Sequence, residues 1–177
     1  KKYNLTLEEI QELLNSNIHE YRLIALFILI DKYKKENKEE IFNFYLKNTQ
    51  NINNWDLVDL SAPNIVGEFL FNKDRDILFK LAKSNNLWEK RISILATFYF
   101  IKNNDFEDSL KIAEILLKDK HDLIHKAVGW MLREIGKRDQ ATEESFLNKH
   151  YKTMPRTMLR YSIERFDENK RKFYMKK

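Results

Sequence analysis

The sequence contains no cysteine, and its 177 residues include only three glycines and two prolines. The absence of cysteine excludes disulfides, thiol nucleophiles and cysteine-ligated zinc, and it is compatible with a reducing compartment. So few glycines and prolines cannot supply the turns of a β-sandwich or a β-barrel. The hydrophobic content of 43% suffices for one core. We therefore expect a cytoplasmic protein built mainly from helices.

Long hydrophobic runs are also missing. The longest run, from Leu23 to Ile30, is bounded by Arg22 and Asp31 and is too short to span a membrane. We expect no signal peptide and no membrane partner.

Motifs for cofactors, metals and nucleophilic catalysis are absent as well. The sequence has no glycine-rich phosphate loop, and no serine stands in a catalytic motif with a histidine. His121 and His125 could chelate a metal from one helix face, but Asp122 replaces the glutamate of the H-E-x-x-H pattern and a third ligand is missing. A solvated helix start explains this pair, and we expect neither a metal nor a cofactor.

The charge is moderately basic, with 32 Lys and Arg against 27 Asp and Glu, a net charge of +5 and a pI of about 9.2. Such a balance is weak evidence for a nucleic-acid partner. Twenty-three of the basic residues are lysines, as an AT-rich coding sequence would produce, so the nine arginines are more informative. Six of them lie in the last third of the chain: Arg133, Arg138, Arg156, Arg160, Arg165 and Arg171.

Helical periodicity dominates the rest of the sequence. Leu7, Ile10, Leu13 and Leu14 follow the i, i+3, i+4 spacing behind a capping box that begins at Thr6. Pro63 either kinks the helix that begins near residue 55 or starts a new one. Further helices are predicted at residues 21–33, 39–46, 75–83, 87–101, 106–117, 123–137, 142–149 and 155–166.

A repeat of about 35 residues underlies these helices. Arg91 and Lys126 precede similar apolar runs and are 35 residues apart, and Arg22 precedes another run 69 residues before Arg91. The intermediate copy falls at Asp56. Paired helices at this period are typical of an α-solenoid, in which equivalent positions of successive repeats point into one groove.

The residues at the equivalent positions of the repeat indicate what kind of ligand the groove would bind. A line of cations suits the backbone of a nucleic acid, although interhelix ion pairs with Glu20 or Glu89 would explain the same pattern. Trp55, Trp88 and Trp130 accompany these cations and could form a stacking platform, although core packing is the commoner role of tryptophan.

Two acidic residues in the intermediate copy of the repeat need a separate explanation. Asp56 lies where a helix dipole favours an acid, but Asp59 lies a full turn deeper. A carboxylate in a groove built for phosphate repels its ligand, so Asp59 is a candidate for catalysis.

Four motifs resemble those of the DNA alkylation repair glycosylases of AlkD type, in the right order and over nearly the whole chain. The first is Asn54-Trp55-Asp56-Leu57-Val58-Asp59 followed by Ala62-Pro63 and Gly67. The second is Leu87-Trp88-Glu89-Lys90-Arg91, the third runs from Lys126 to Glu134, and the fourth runs from Met154 to Glu164.

The resemblance implies an all-α solenoid of HEAT-like helical hairpins with a concave basic groove. It implies a single domain over residues 1–177, without the N-terminal helices that family members usually carry before the point matching Leu7. It also implies a monomer that acts on double-stranded DNA containing alkylated purines.

The resemblance further implies a DNA glycosylase that hydrolyses the N-glycosidic bond of cationic N3- or N7-alkylated purines. Asp59, Trp55 and Trp130 match its catalytic positions, and Arg91 matches a position that holds phosphate near the lesion. No lysine at a matched position suggests a Schiff-base lyase, so we expect a monofunctional enzyme. The alternative is a non-catalytic helical-repeat scaffold that binds DNA or protein. Further candidate DNA contacts are Trp88, Lys126, Arg133, Arg22 and Arg156.

Overall fold

A computed structural model describes residues 5–176, and within them all regular secondary structure is helical. The helices are α1 (Leu7–Leu14), α2 (His19–Tyr33), α3 (Lys38–Lys47), α4 (Trp55–Ala62), α5 (Glu68–Leu70), α6 (Asp76–Ala82), α7 (Leu87–Lys102), α8 (Glu107–Leu116), α9 (Asp122–Gly136), α10 (Gln140–His150), α11 (Arg156–Ser162) and α12 (Glu168–Met175). None of these helices is long and apolar enough to cross a membrane.

The helices form the two layers of a HEAT-like solenoid. We call α2, α4, α7, α9 and α11 the inner row, because each packs against the next and together they carry Arg22, Asp56, Arg91 and Lys126. Helices α1, α3, α6, α8 and α10 form the outer row. The side-by-side arrangement of the helices at the repeat positions is therefore confirmed.

The core lies between the two rows, and α7 lies at its centre. This helix is apolar on nearly every side, and nine of its sixteen residues are buried. Such a pattern is typical of a helix surrounded by other helices. Helices α4, α6, α8 and α9 all pack against it.

The inner-row helices begin at polar caps. The side chains of Asn54, Asn86 and His121 accept hydrogen bonds from the first backbone N–H groups of α4, α7 and α9. These caps fix the register in which Trp55, Arg91 and Lys126 emerge.

Helix α4 continues through Pro63 instead of ending there. Pro63 keeps a right-handed helical conformation and opens a π-helical turn (Pro63–Gly67) that leads into α5. Proline lacks the N–H group that an α-helix would use, and the wider turn accommodates this loss. Of the two alternatives left open by the sequence, the interrupted continuous helix is correct.

Helices α10 and α12 are among those that differ from the sequence-based prediction. Helix α10 begins at Gln140 because Asp139 caps it by accepting a hydrogen bond from the Thr142 N–H. Helix α12 was not predicted, since Lys and Arg dominate its sequence. It is capped by Asp167 and held in place by Tyr174, its one buried residue.

Candidate active site

A cavity of about 390 Å³ opens on the inner row and is lined by four helices. Its walls are formed by Trp55, Arg91, Leu123, Lys126, Trp130, Arg133 and Tyr161. Five of these seven residues were singled out in the sequence as candidate site residues. The structure thus brings together side chains that are up to 106 residues apart in the chain.

Asp59 lies beside this cavity and is held by Arg91. Nε and Nη2 of Arg91 each donate a hydrogen bond of 2.8 Å to one carboxylate oxygen of Asp59. The side chains of Asp59 and Arg91 are only 16% and 6% exposed. The sequence left open an interhelix ion pair with Glu20 or Glu89 at such a position. Arg91 does form an interhelix ion pair, but its partner is Asp59 on α4.

Arg91 connects three helices of the inner row. In addition to binding Asp59 on α4, its Nη1 donates a hydrogen bond of 2.5 Å to the backbone carbonyl of Leu123 on α9. A planar guanidinium with donors at fixed angles suits such a junction better than lysine would. The two acceptors therefore fix both the position and the plane of the Arg91 side chain.

Burial raises the pKa of Asp59, and the nearby charge of Asp56 adds to this effect. The hydrogen bonds and charge of Arg91 act in the opposite direction. Both oxygens of Asp59 accept hydrogen bonds from a permanently charged group, which favours the ionised carboxylate, while burial makes Asp59 bind protons more strongly than an ordinary aspartate.

Asp56, one turn earlier on α4, faces another partner. Its carboxylate lies 2.7 Å from Nε2 of His19, at the start of α2. This contact joins the first two helices of the inner row. The repeat position that is a cation in the other copies is therefore used here for packing.

The two tryptophans at the cavity differ in exposure. Trp55, the first residue of α4, is 53% exposed. Trp130 is half-buried: its ring packs against Phe98 with centroids 5.7 Å apart, and its Nε1 donates a hydrogen bond of 3.2 Å to Glu134. Trp130 is thus fixed in place, whereas Trp55 lies exposed at the rim of the cavity.

Lys126 and Arg133 place further positive charge at the cavity, and each has an acidic neighbour. Lys126 is paired with Asp122 one turn earlier at 2.7 Å, and the hydrogen bond with Asp122 raises the pKa of its ammonium group. Arg133 contacts Glu164. Both residues remain charged and stand at the edge of the open space.

Three candidate DNA contacts lie outside the cavity. Trp88 is half-buried and packs against the core. Arg22 donates a hydrogen bond of 2.7 Å from Nη1 to the carbonyl of Ser16. Arg156 is exposed at the start of α11, where it donates a hydrogen bond of 2.9 Å from Nη2 to the carbonyl of Met175.

Tyr161 is a cavity residue that the sequence argument missed. It lies 35 residues after Lys126, so extending the repeat by one step would have found it. Its position depends on Gly129: a Cβ atom there would lie 2.5 Å from the carbonyl oxygen of Met158 and 2.6 Å from Cβ of Tyr161. The glycine lets α11 approach α9 closely enough for Tyr161 to reach the cavity.

The two histidines considered as metal ligands both have protein partners. Nδ1 of His121 accepts a hydrogen bond from the backbone N–H of Leu123, and Nε2 of His125 lies 2.6 Å from the carbonyl oxygen of Asp119. Residues 5–176 contain no cluster of three side chains that could hold a metal ion.

The sequence and the fold are similar to those of known proteins. The sequence profile of the DNA alkylation repair enzyme family matches residues 1–166. No curated protein sequence gives a significant match. The fold is similar to that of a predicted DNA alkylation repair enzyme from Enterococcus faecalis, with a TM-score of 0.75 and 18% identity over 91% of this chain and 75% of that chain. It is also similar to smu.31 from Streptococcus mutans UA159, with a TM-score of 0.67 and 20% identity over 91% of this chain and 83% of that chain. Because the family profile covers nearly its whole length, the chain belongs to the DNA alkylation repair enzyme family.

Proposed function

We propose that this protein is a monofunctional DNA glycosylase that removes cationic N3- or N7-alkylated purines from duplex DNA. The observation that carries the proposal is the Asp59 carboxylate, held by Arg91 beside a cavity with Trp55 and Trp130 on its walls. Membership of a DNA alkylation repair family supports the same reaction.

Hydrolysis of the N-glycosidic bond of an alkylated purine requires few catalytic groups beyond one carboxylate. An alkylated purine is positively charged, so it leaves as a neutral base when the bond between C1′ and the purine nitrogen breaks and the base keeps the electron pair. The sugar then develops positive charge, which the Asp59 carboxylate stabilises. Water attacks C1′ and gives its proton to Asp59. The raised pKa of Asp59 favours this transfer.

Arg91 positions the carboxylate in this mechanism. A guanidinium has five N–H donors, and three of them are engaged by Asp59 and Leu123. The remaining two, one on each terminal nitrogen, are available to a DNA phosphate. Arg91 can therefore orient Asp59 and also contact the backbone near the lesion.

The aromatic residues provide a surface for the cationic base. The exposed face of Trp55 and the fixed ring of Trp130 can attract a positively charged purine or sugar through cation–π contact. Tyr161 adds a third ring to the same cavity. A neutral base loses this attraction, which favours its release after the bond breaks.

Lys126 lines the cavity, yet it is a poor nucleophile. A lyase needs a neutral amine to attack the sugar, whereas pairing with Asp122 raises the pKa of Lys126. The reaction would therefore end at the abasic site.

The test is single-turnover release of 7-methylguanine from methylated duplex DNA by the Asp59→Asn variant. We expect release to fall by about 100- to 1,000-fold, the loss typical of one preorganised charge. Asp59 is also the buried partner of Arg91, so the free energy of unfolding should fall by about 3 kcal/mol. Melting curves then define a temperature at which the variant is fully folded.

The matched control is Asp108→Asn. Asp108 is likewise 16% exposed and paired with an arginine, Arg75, at 2.8 Å, but it lies on the outer row. We expect its base release to stay within about twofold of the wild type. Full release by Asp59→Asn would contradict the catalytic role and favour the alternative, a helical-repeat scaffold in which the Asp59–Arg91 pair only joins helices.

A further inference from the structure

Three loops of the solenoid carry exposed lysines at equivalent positions. These loops precede the inner-row helices α7, α9 and α11, and the lysines are Lys83, Lys118 and Lys152. They are separated by 35 and 34 residues, which is the period of the helical repeat. The three side chains therefore belong to one structural position that recurs along the molecule.

The three loops lie on the same edge of the solenoid. A cleft of about 650 Å³ is lined by the first two of them, and Lys90 on α7 is joined to the second loop by an ion pair of 2.7 Å with Asp119. The third loop lies on the same edge, because the helices that follow the second and third loops meet at their first turns. There Thr157 of α11 interacts with Asp122, the first residue of α9. We call this side of the molecule the lysine edge.

Positive charge on the lysine edge is not neutralised by the protein. The ammonium groups of Lys83, Lys118 and Lys120 make no hydrogen bond or ion pair with any described residue, and Lys152 lies only over the ring of Tyr151. The acidic groups beside them are already used: Asp119 binds Lys90, and Asp122 binds Lys126. The free ammonium groups are suited to an anionic partner.

The cations at the repeat positions behave differently. Nε and Nη2 of Arg91 are bound to Asp59, Lys126 is bound to Asp122, and Arg22 donates to a backbone carbonyl. The lysines of the edge therefore have no acceptor among the described residues, whereas each of these three cations already has one.

The lysine edge and the candidate active site share a wall. On α7, Lys90 lines the cleft and the next residue, Arg91, lines the cavity. At the start of α9, His121 lines the cleft and Leu123 lines the cavity. A strand with one nucleotide at the cavity would thus bring its neighbouring phosphates to the edge.

We infer that the lysine edge binds phosphates spaced along one strand of duplex DNA beside the candidate active site. Neighbouring helices are about 8–10 Å apart, which corresponds to about three nucleotides along a B-DNA strand. The flexible stems of lysine adapt to that spacing. The inference rests on the proposed function only in placing a damaged nucleotide at the cavity.

A second basic cleft extends the same edge beyond Lys152. It has a volume of about 680 Å³ and is lined by Tyr151, Lys152, Met154, Arg156, Phe173 and Lys176. Part of it comes from α12, which lies outside the family-matched residues 1–166. The edge therefore includes a cationic surface that the family profile does not cover.

The experiment compares two triple variants on an undamaged fluorescent duplex. The edge variant is Lys83→Gln, Lys118→Gln and Lys152→Gln. The control is Lys34→Gln, Lys73→Gln and Lys102→Gln, which removes three exposed lysines at or just after the C-terminal ends of α2, α5 and α7. Both variants lose the same charge, so a difference between them reports position and not net charge.

We expect the edge variant to bind about 10- to 100-fold more weakly than the wild type at low salt. The slope of log K against log salt concentration should become shallower by about 3, one unit for each lost phosphate contact. The control should stay within about threefold of the wild type. Equal weakening of both variants, an unchanged edge variant, or a wild type that does not bind duplex DNA would overturn the inference.

Base release by the wild type separates this inference from the proposed function. If the wild type releases no alkylated base but the edge variant alone loses affinity, the lysine edge stands and the glycosylase proposal fails. If base is released but both triple variants bind alike, the glycosylase proposal stands and the edge is wrong.

Discussion

The two aspartates of α4 show how one turn of helix separates two roles. Asp56 contacts a histidine at the start of α2, whereas Asp59 receives two hydrogen bonds from Arg91 on the opposite neighbour, α7. Asp59 also lies four residues after Trp55, on the same helical face. Asp59 is therefore the aspartate held beside the cavity, and it is the one to which the proposed function gives the catalytic role.

Glu143 is a second unusual carboxyl group, outside the candidate site. It is 1% exposed, it packs against Gly136, and its Oε1 has no hydrogen-bond partner among the described residues. Burial raises its pKa to about 8, with a contribution from Glu144, while Arg133 acts in the opposite direction. Glu143 is therefore mostly protonated in the folded protein at neutral pH.

This protonation makes the stability depend on pH in a defined window. Unfolded Glu143 has an ordinary pKa near 4.5, so it ionises in the unfolded chain well before it does in the folded chain. Its contribution to stability is complete below pH 4.5 and is lost as the pH rises to about 8. Thermal melts should show the wild type losing as much as about 5 kcal/mol across this window relative to Glu143→Gln. Glu12→Gln, an exposed change on α1, should follow the wild type; a Glu143→Gln curve parallel to the wild type would contradict the prediction.

Single residues also show what the sequence could and could not predict. The repeat period placed Trp55, Arg91, Lys126 and Trp130 correctly on the inner row because helical spacing and the 35-residue step fix their faces. It could not predict that Arg91 pairs with Asp59, since that contact depends on how α4 and α7 rotate and cross. Their mutual orientation is set by packing across the whole core.

At the scale of helices, two glycines repeat the same contact. A Cβ at Gly67 would lie 2.2 Å from the carbonyl oxygen of Ala96 and 2.9 Å from Cβ of Tyr99. Gly129 has the same relation to Met158 and Tyr161, and the sequence separations of 29 and 32 residues are identical. The close approach of inner-row helices is thus a feature of the repeat.

The Gly129→Ala variant tests this close packing. The added methyl group would force α11 away from α9, so we expect a loss of about 1–2 kcal/mol after allowing for the better helix propensity of alanine. Base release should also fall, because Tyr161 moves with α11. Gly136→Ala is the comparison, since its methyl group meets the end of the flexible Glu143 side chain instead of backbone. Equal stability of both variants in urea melts would argue against a close-packed α9–α11 contact.

Helices were predicted well where apolar residues recur over a long stretch and poorly where they do not. Helices α7 and α9 contain many apolar residues, and their predicted ends lie within about two residues of the observed ends. Helix α12 has one buried residue, Tyr174, and otherwise depends on its Asp167 cap and on contacts such as that of Lys170 with Glu144. A charged helix held by tertiary contacts leaves no periodic signal in the sequence.

Across the whole molecule, positive charge is concentrated at one end. Residues 149–177 contain ten basic and three acidic residues, whereas residues 1–148 contain 22 basic and 24 acidic residues. The net charge of +5 therefore comes entirely from the C-terminal part. Such an asymmetric field orients a polyanion before contact and directs it toward the end of the inner row that carries α11.

Stability should also vary along the molecule, with its maximum in the middle. Helix α7 packs against helices on both sides and has nine buried residues, whereas α12 has one and α1 has two. In a stack of repeats each unit is stabilised by its neighbours, so opening begins at the ends. In native-state hydrogen exchange we expect the slowest amides in α7 and α9, and exchange in α1 and α12 faster by about 100-fold or more. Uniform exchange across all helices would show that the solenoid opens only globally, because the end helices would then be as strongly coupled to the core as α7.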